Sequence, residues 1–438
     1  MQDPPLWYDE AYTRLASSVP LHTLLSGVWH RQGVIGYLMD VPPSFNAPYY
    51  VLMHGWCAVF GTGDVALRLP SLLCSATAVA VMAVLGQRLA GPVAGLVTGL
   101  LCAVSPLLAG QAVQARDYGA AMLAVALCAL WLVSWRSTGR GVRRVAFAAG
   151  AAGLLHWFTL PVIAGLMGVA LTSRFSWRPR CKMVLALALA VVPAALLVGW
   201  SLAGGTYGAP TPPTVGWSLP VTAVRDWSGT SPLLAGLLAI AALAGALTSR
   251  HRALILGWVV VPLMLVTAVE LTRPTYFPRY LLFTLLGLAL AAALGVAAVR
   301  WRPARLLLAT ALVGLSLAVT VPRLDVSAEE PSPAVVALLA REQSAGEPII
   351  PADGRTSLDL ETYLSVAPRI ADDLVLPPTL FTDQTTSDVV WLVRVVLKVN
   401  SLPIVPAQQR LIDAGWTRQA ATLVTGSTTD LRVEKWVR

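Results

Sequence analysis

An adjacent acid pair stands near the start of the chain, in Trp7-Tyr8-Asp9-Glu10-Ala11-Tyr12. Carboxylates held at a membrane surface suit one task, taking a proton from a hydroxyl while a charged leaving group departs. On a polar loop, two adjacent acids are more often simply solvated, so the pair gains meaning only from what stands with it. Two other segments carry isolated arginines beside aromatics, Gln114-Ala115-Arg116-Asp117-Tyr118 and Tyr276-Phe277-Pro278-Arg279-Tyr280. The planar guanidinium fork of Arg116 and Arg279 suits a phosphate, with Tyr118 and Tyr280 at headgroup depth. The same residues serve equally as interface anchors. Arg68, in Ala66-Leu67-Arg68-Leu69-Pro70, is a weaker candidate for the phosphate. His22, His54 and His156 are scattered rather than spaced as ligands, and read more readily as structural hydrogen-bonding groups. Trp157 beside His156 has the surface to stack on a sugar, or to sit in an aromatic belt. No residues have metal-ligand spacing, so no metal is expected.

The elements that must position these groups are helices in a bilayer. Of 438 residues, 56% are hydrophobic and 13% charged, and the mean hydropathy is +0.67. A soluble domain carries about 25% charged residues, so this is an α-helical polytopic membrane protein. About ten spans are expected, near 66–87, 93–112, 118–135, 144–158, 159–173, 183–203, 231–248, 253–270, 280–299 and 305–322. The pair at 144–173 is broken near His156 to Pro161 and is short for two crossings. Before the spans, residues 1–64 read as an outer-face loop with interfacial helices at Asp9 to Val19, Leu21 to His30, and from Asn46 to Phe60. A first-turn position would place Asp9 where the helix macrodipole favours a carboxylate. After residue 324 ordinary polarity returns, and 325–438 reads as a small α/β domain. Its helices start at Ser332 and Pro406, and its strands lie at Ile349–Ile350, Val389 to Val396 and Leu431 to Val437. The chain thus divides into a membrane domain, 1–324, and an extracytoplasmic domain, 325–438.

Charge gives the orientation. Alternate connections hold Arg88, then Arg136, Arg140, Arg143 and Arg144, then Arg174, Arg178, Arg180 and Lys182, then Arg250 and Arg252, then Arg300, Arg302 and Arg305: fourteen basic residues and no acid. The opposite connections hold few cations. By the positive-inside rule the acid pair and the C-terminal domain lie outside. The net charge of +9 is this topology signal rather than a nucleic-acid stripe. A chain that starts outside, with no apolar leader in its first 47 residues, is expected to follow a further helix ahead of residue 1. The spans carry almost no ionisable residue away from their ends and no repeat is evident. Both features argue against an ion-coupled transporter or a lipid-linked-sugar flippase. Glycine-rich phosphate loops are absent, which argues against a nucleotide-sugar donor.

Read in order, Trp7-Tyr8-Asp9-Glu10-Ala11, Pro48-Tyr49-Tyr50-Val51-Leu52 with Trp56 and Phe60-Gly61, Ala66-Leu67-Arg68-Leu69-Pro70-Ser71, Gln114-Ala115-Arg116-Asp117-Tyr118 and Pro278-Arg279-Tyr280-Leu281-Leu282 resemble the GT-C superfamily of membrane glycosyltransferases. Within it, the pattern is similar to the family-39-like bacterial enzymes related to protein O-mannosyltransferases and aminoarabinose transferases. The resemblance covers most of 7–322. It implies a multi-pass enzyme of the bacterial plasma membrane, mannosyltransferase-like, with an extracytoplasmic site. Its donor would be a polyprenyl-phosphate-linked sugar, its acceptor a hydroxyl of a glycan, lipid or protein, and the anomeric centre would invert. Asp9 would be the base, Glu10 its partner, and Arg116 and Arg279 the donor-phosphate ligands. No cofactor is implied, although a divalent metal assists some relatives. Two departures stand out: the family's first helix is missing, and its His-Pro-Pro before Tyr-Tyr is replaced by Phe45-Asn46-Ala47-Pro48. The alternatives are a lipid-linked-sugar flippase or transporter, and a non-catalytic scaffold of the same fold.

Overall fold

The computed structural model describes residues 6–204, 214–274, 276–324, 331–364, 368–376, 387–396, 405–426 and 430–438. In chain order its helices are α1 (Tyr8–Ser18), α2 (Leu21–His30), α3 (Ala47–Phe60), α4 (Asp64–Ala90), α5 (Pro92–Ala103), α6 (Pro106–Ala112), α7 (Tyr118–Thr138), α8 (Val142–Leu155), α9 (Leu160–Leu171) and α10 (Trp177–Leu202). There follow α11 (Leu219–Trp227), α12 (Pro232–Thr248), α13 (Arg252–Ile255), α14 (Val261–Glu270), α15 (Leu282–Ala298) and α16 (Arg302–Leu324). The C-terminal region adds α17 (Ser332–Glu342), β1 (Ile349–Pro351), α18 (Gly354–Leu364), α19 (Pro368–Ala371), β2 (Val389–Val396), α20 (Pro406–Asp413), β3 (Thr417–Val424) and β4 (Asp430–Val437). These elements form two compact units. One combines residues 1–43, 50–67 and 326–438; the other holds 44–49 and 68–325.

The larger unit is the helical membrane body. Among the described residues, six helices are long and apolar enough to cross a membrane, and two bent pairs, α5 with α6 and α11 with α12, raise that to eight. These eight match eight of the ten expected spans. The other two, 144–158 and 159–173, are α8 and α9, with 14 and 12 residues. At 1.5 Å per residue α8 covers about 21 Å, short of a ~30 Å hydrocarbon core. The flanking basic connections fall on one side if the pair crosses twice or turns back, whereas a single crossing would change the parity on which the charge argument rests. Without a hydrophobic drive between helices in lipid, close backbone approach holds such a body together. Ala241 and Gly245 on α12 meet Ala291 and Gly295 on α15, where a Cβ on Gly245 would stand 2.1 Å from the Ala291 carbonyl oxygen. The α15 helix is buried along most of its length as a result.

The smaller unit holds a four-stranded sheet in the order β1-β2-β4-β3, parallel between β1 and β2 and antiparallel elsewhere. One face packs α17 and α18 through Val335, Leu339, Leu360 and Leu364 against Trp391 and Val433. The other packs α20 through Leu411 against Leu392 and Trp436. Glu434 on β4 is fully buried, and both of its oxygens accept from Gln408 Nε2 at 2.7 Å. The N-terminal helices α1 and α2 belong to this unit, with α1 packed on α18.

Candidate active site

In the smaller unit, the acid pair occupies the first turn of α1, with Trp7 as N-cap. Glu10, at the third helical position, is 1% exposed, and its Oε2 accepts from the Trp7 backbone N–H at 3.4 Å. It thereby satisfies one of the donors a helix start leaves open. Asp9 is half-buried, and its carbonyl accepts from Thr13 Oγ1 at 2.9 Å. The two carboxylates therefore differ in surroundings: one is sealed against its own helix, the other reaches partly into solvent.

Helix α18 closes on this turn. Asp353 caps it by accepting from the Thr356 N–H at 2.8 Å. Gly354 permits the approach, since a Cβ there would lie 2.4 Å from the Tyr37 carbonyl oxygen. Arg355 and Asp359 share one helix face at i, i+4. The Arg355 guanidinium sits over the Tyr8 ring, 4.7 Å from its centre. The Tyr8 phenol is pushed up in pKa, first by burial and then by the negative charge of Asp9, with Asp359 adding and Arg355 opposing. It therefore stays protonated across the physiological range. Tyr37 donates to Glu361 from the same helix and is likewise raised, by burial and then by that bond. The Tyr363 hydroxyl donates to the Leu6 carbonyl, fixing the entry to α1. None of the α18 residues was anticipated, because their partners lie at the far end of the chain; the capped Arg355/Asp359 spacing was the one signal in the sequence.

His54 also belongs here, on α3, where its Nδ1 stands 3.0 Å from the Ser17 carbonyl oxygen. It ties α3 to α1 and leaves one ring nitrogen unused in that bond.

In the membrane unit, the two expected arginine segments come together with a third, the turn that carries His156. The α7 start is set by Gly119, where a Cβ would lie 2.3 Å from the Ser71 carbonyl oxygen on α4. This places Arg116 and Tyr118, with Arg68 one turn before Ser71. The α15 start is set by its packing on α12 and by Trp258 Nε1, which donates to the Phe283 carbonyl at 2.9 Å. That places the 3₁₀ turn Pro278–Leu281 and with it Arg279 and Tyr280. The third segment is the turn between α8 and α9, where His156 leaves helical geometry and its Nδ1 accepts from the Phe158 N–H at 3.2 Å.

His156 is the centre of this group. Its ring lies 5.1 Å from Tyr118 and 5.1 Å from Phe283. Phe158 stacks on Tyr280 at 3.8 Å, and Trp157 lies 4.4 Å from Phe158. The Arg279 guanidinium is 5.1 Å from the Phe277 ring centre and 5.9 Å from that of Tyr280. Burial above all, then the charges of Arg116 and Arg279, drive the His156 pKa down to about 3. It is therefore neutral, and with Nδ1 accepting, its proton is on Nε2. Glu270, 1% exposed, accepts from the Val215 and Tyr276 N–H groups, each at 2.9 Å, and so fixes the approach to Arg279. Two half-buried cations beside a buried imidazole have the chemistry that suits an anion such as a phosphate ester. Among the described residues, no group of three or more His, Cys, Asp and Glu gathers to hold a metal ion.

The model of the dolichyl-phosphate-mannose-protein mannosyltransferase family matches residues 42–200. No curated protein sequence matches the chain significantly. Among solved structures, ArnT from Cupriavidus metallidurans in the apo state aligns with a TM-score of 0.57 at 12% identity, over 98% of this chain and 94% of that one. The same protein bound to undecaprenyl phosphate aligns with a TM-score of 0.55 at 14% identity, with the same coverage. The family model thus matches residues 42–200, and the likeness to ArnT is one of fold, extending over nearly the whole length of both chains.

Proposed function

We propose that the protein transfers a sugar from a polyprenyl-phosphate-linked donor to an acceptor hydroxyl on the outer face of a bacterial plasma membrane. The observation that carries this reading is the pairing of Arg116 and Arg279 around the buried neutral His156, beside the Phe158–Tyr280 stack. The family match and the ArnT structure with its undecaprenyl phosphate support the donor class. The fourteen basic residues on alternate connections support the orientation.

Asp9 accepts the proton of the acceptor hydroxyl. The acceptor oxygen attacks the anomeric carbon from the face opposite the phosphate, so a new C–O bond forms as the old one breaks and the configuration inverts. The bonding pair leaves on the phosphate oxygen, and the polyprenyl phosphate departs with the added charge. Arg116 and Arg279 take up that charge, preorganised by rings and backbone rather than by solvent. Tyr118 and Tyr280 line the phosphate, while His156 and Trp157 offer a hydrogen bond and a flat face to the sugar. Glu10 holds the α1 start in shape, and Tyr8 with Arg355 shapes the acceptor side of Asp9. Arg68 and His54 support these groups from α4 and α3. No step requires a metal.

The test is transfer by the purified protein in lipid, beginning with polyprenyl-phosphate mannose and extending to a 4-amino-arabinose donor. Formation of a glycosylated product with release of polyprenyl phosphate is the expected result. Movement of intact donor across sealed vesicles without transfer would instead assign a flippase.

A further inference from the structure

The opposite end of the membrane unit carries a second cluster of arginines. A cavity of about 700 Å³ opens between the C-terminal end of α4 and the α7–α8 turn. The 21-residue α7 separates it from Arg116 and Tyr118 by about 30 Å at 1.5 Å per residue. Three guanidiniums line it from three elements: Arg88 at the last turn of α4, Arg140 at the turn, and Arg144 in the first turn of α8. Gly139 and Gly141 both take left-handed backbone, φ 71° and 92°, which makes the turn tight and sets Arg140 at its tip. Among the described residues none of these arginines has a carboxylate partner. Arg88 donates to Ser134 Oγ at 3.0 Å, and Ser134 with Thr138 forms the polar floor.

The rest of the lining is apolar. Leu130 and the half-exposed Trp131 form one wall, and Trp131, Ser134 and Thr138 follow one stripe of α7 at i, i+3 and i+7. The cavity therefore grades from an indole and a leucine to hydroxyls to guanidiniums over two turns of one helix. A dispersed positive-inside signal needs no such convergence. A cation in the first turn of a helix is also unfavourable by itself, and Arg144 occupies that position in α8. An anion seated in the cavity relieves both the mutual repulsion and this cost.

We propose that this cavity binds the phosphodiester headgroup of an anionic glycerophospholipid, with an acyl chain along Leu130 and Trp131. The apolar wall is what selects a lipid over free phosphate, since basic pockets between membrane helices hold headgroups at this depth. The inference stands independently of the sugar-transfer reading.

The experiment uses the full-length protein in phosphatidylcholine, with and without phosphatidylglycerol, read by retained lipid in native mass spectrometry and by Tm. The wild type is expected to retain phosphatidylglycerol and to gain Tm from it. Arg88→Gln, Arg140→Gln and Arg144→Gln together are expected to weaken that retention by about a hundredfold, as three headgroup-level arginines imply. Arg174→Gln, Arg178→Gln and Lys182→Gln remove the same charge from exposed positions of a neighbouring basic connection and should leave retention unchanged. Arg140→Gln alone, at an exposed turn tip, guards against a folding defect and should weaken retention in part. Equal loss in both triple variants would overturn the site in favour of diffuse charge attraction. An equal Tm gain from inorganic phosphate in phosphatidylcholine would overturn the lipid assignment.

Discussion

Arg355 lies over the ring of Tyr8, 4.7 Å from its centre, joining the first residue of α1 to a helix of the C-terminal region. The contact stands one residue from Asp9, so the C-terminal region is built into the surroundings of the acid pair. A cation–π contact of this kind contributes about 0.5–2 kcal/mol. Arg355→Ala is expected to loosen α1 by that amount, read as faster amide exchange across Tyr8–Ser18 with little change in the membrane helices. Unchanged exchange in α1 would show that the contact does not hold it.

The arginine pair predicts a loss that depends on shape as well as charge. Arg116→Ala and Arg279→Ala should each weaken donor use by roughly 2–5 kcal/mol, as for truncating one partner of a buried charge pair. Arg116→Lys keeps the charge and loses the fork, so a clear loss is expected there too. Donor KM and turnover measured for all three decide the matter. Unchanged values in both alanine variants would return these arginines to membrane anchoring.

His156 gives a pH prediction. Its folded pKa, about 3, lies below the ordinary 6.5, so the unfolded chain binds the proton more readily. Its contribution to stability is therefore present above pH 6.5 and is lost as pH falls from there toward 3. His156→Asn should flatten the acid limb of the stability curve over that window. A variant whose Tm falls with acid as steeply as the wild type would remove His156 from the account.

Orientation is tested by single cysteines at the exposed positions 18 and 425 in a cysteine-free background. Ser18→Cys and Thr425→Cys should both react with an impermeant thiol reagent in intact cells. Protection of either would contradict an outer acid pair and an outer C-terminal region.

Most of the membrane body was legible in the sequence, because an apolar run of bilayer length has few other readings. The α8–α9 pair was legible in part: the break near His156 to Pro161 and the shortness of both pieces showed in the sequence, but not how the two helices pack. In the C-terminal region β1, β2 and β4 carry buried apolar positions that mark them as strands. The β3 strand is exposed along nearly its whole length, so it shows no alternation for a reader to find. The arginine motifs were visible singly, but nothing in the sequence shows that both stand beside His156. Arg355 and Asp359 showed only their spacing for the same reason: a helix face declares its spacing, not its partner.

Asp9 and Glu10 separate the roles most sharply. Neighbouring helical residues point about 100° apart, so the two carboxylates cannot serve one reacting carbon equally. Glu10 is turned back onto the α1 start, and Glu10→Gln keeps an acceptor for the Trp7 N–H, so its effect should be mild. Asp9→Asn keeps size and removes the base, a change worth roughly 10²–10⁴-fold in turnover. The direct measurement is sugar transfer from a polyprenyl-phosphate donor by purified, folded Asp9→Asn protein, with donor binding measured alongside. Collapsed turnover with intact donor binding is the predicted result, and turnover near the wild type would contradict the assignment of Asp9 as the base.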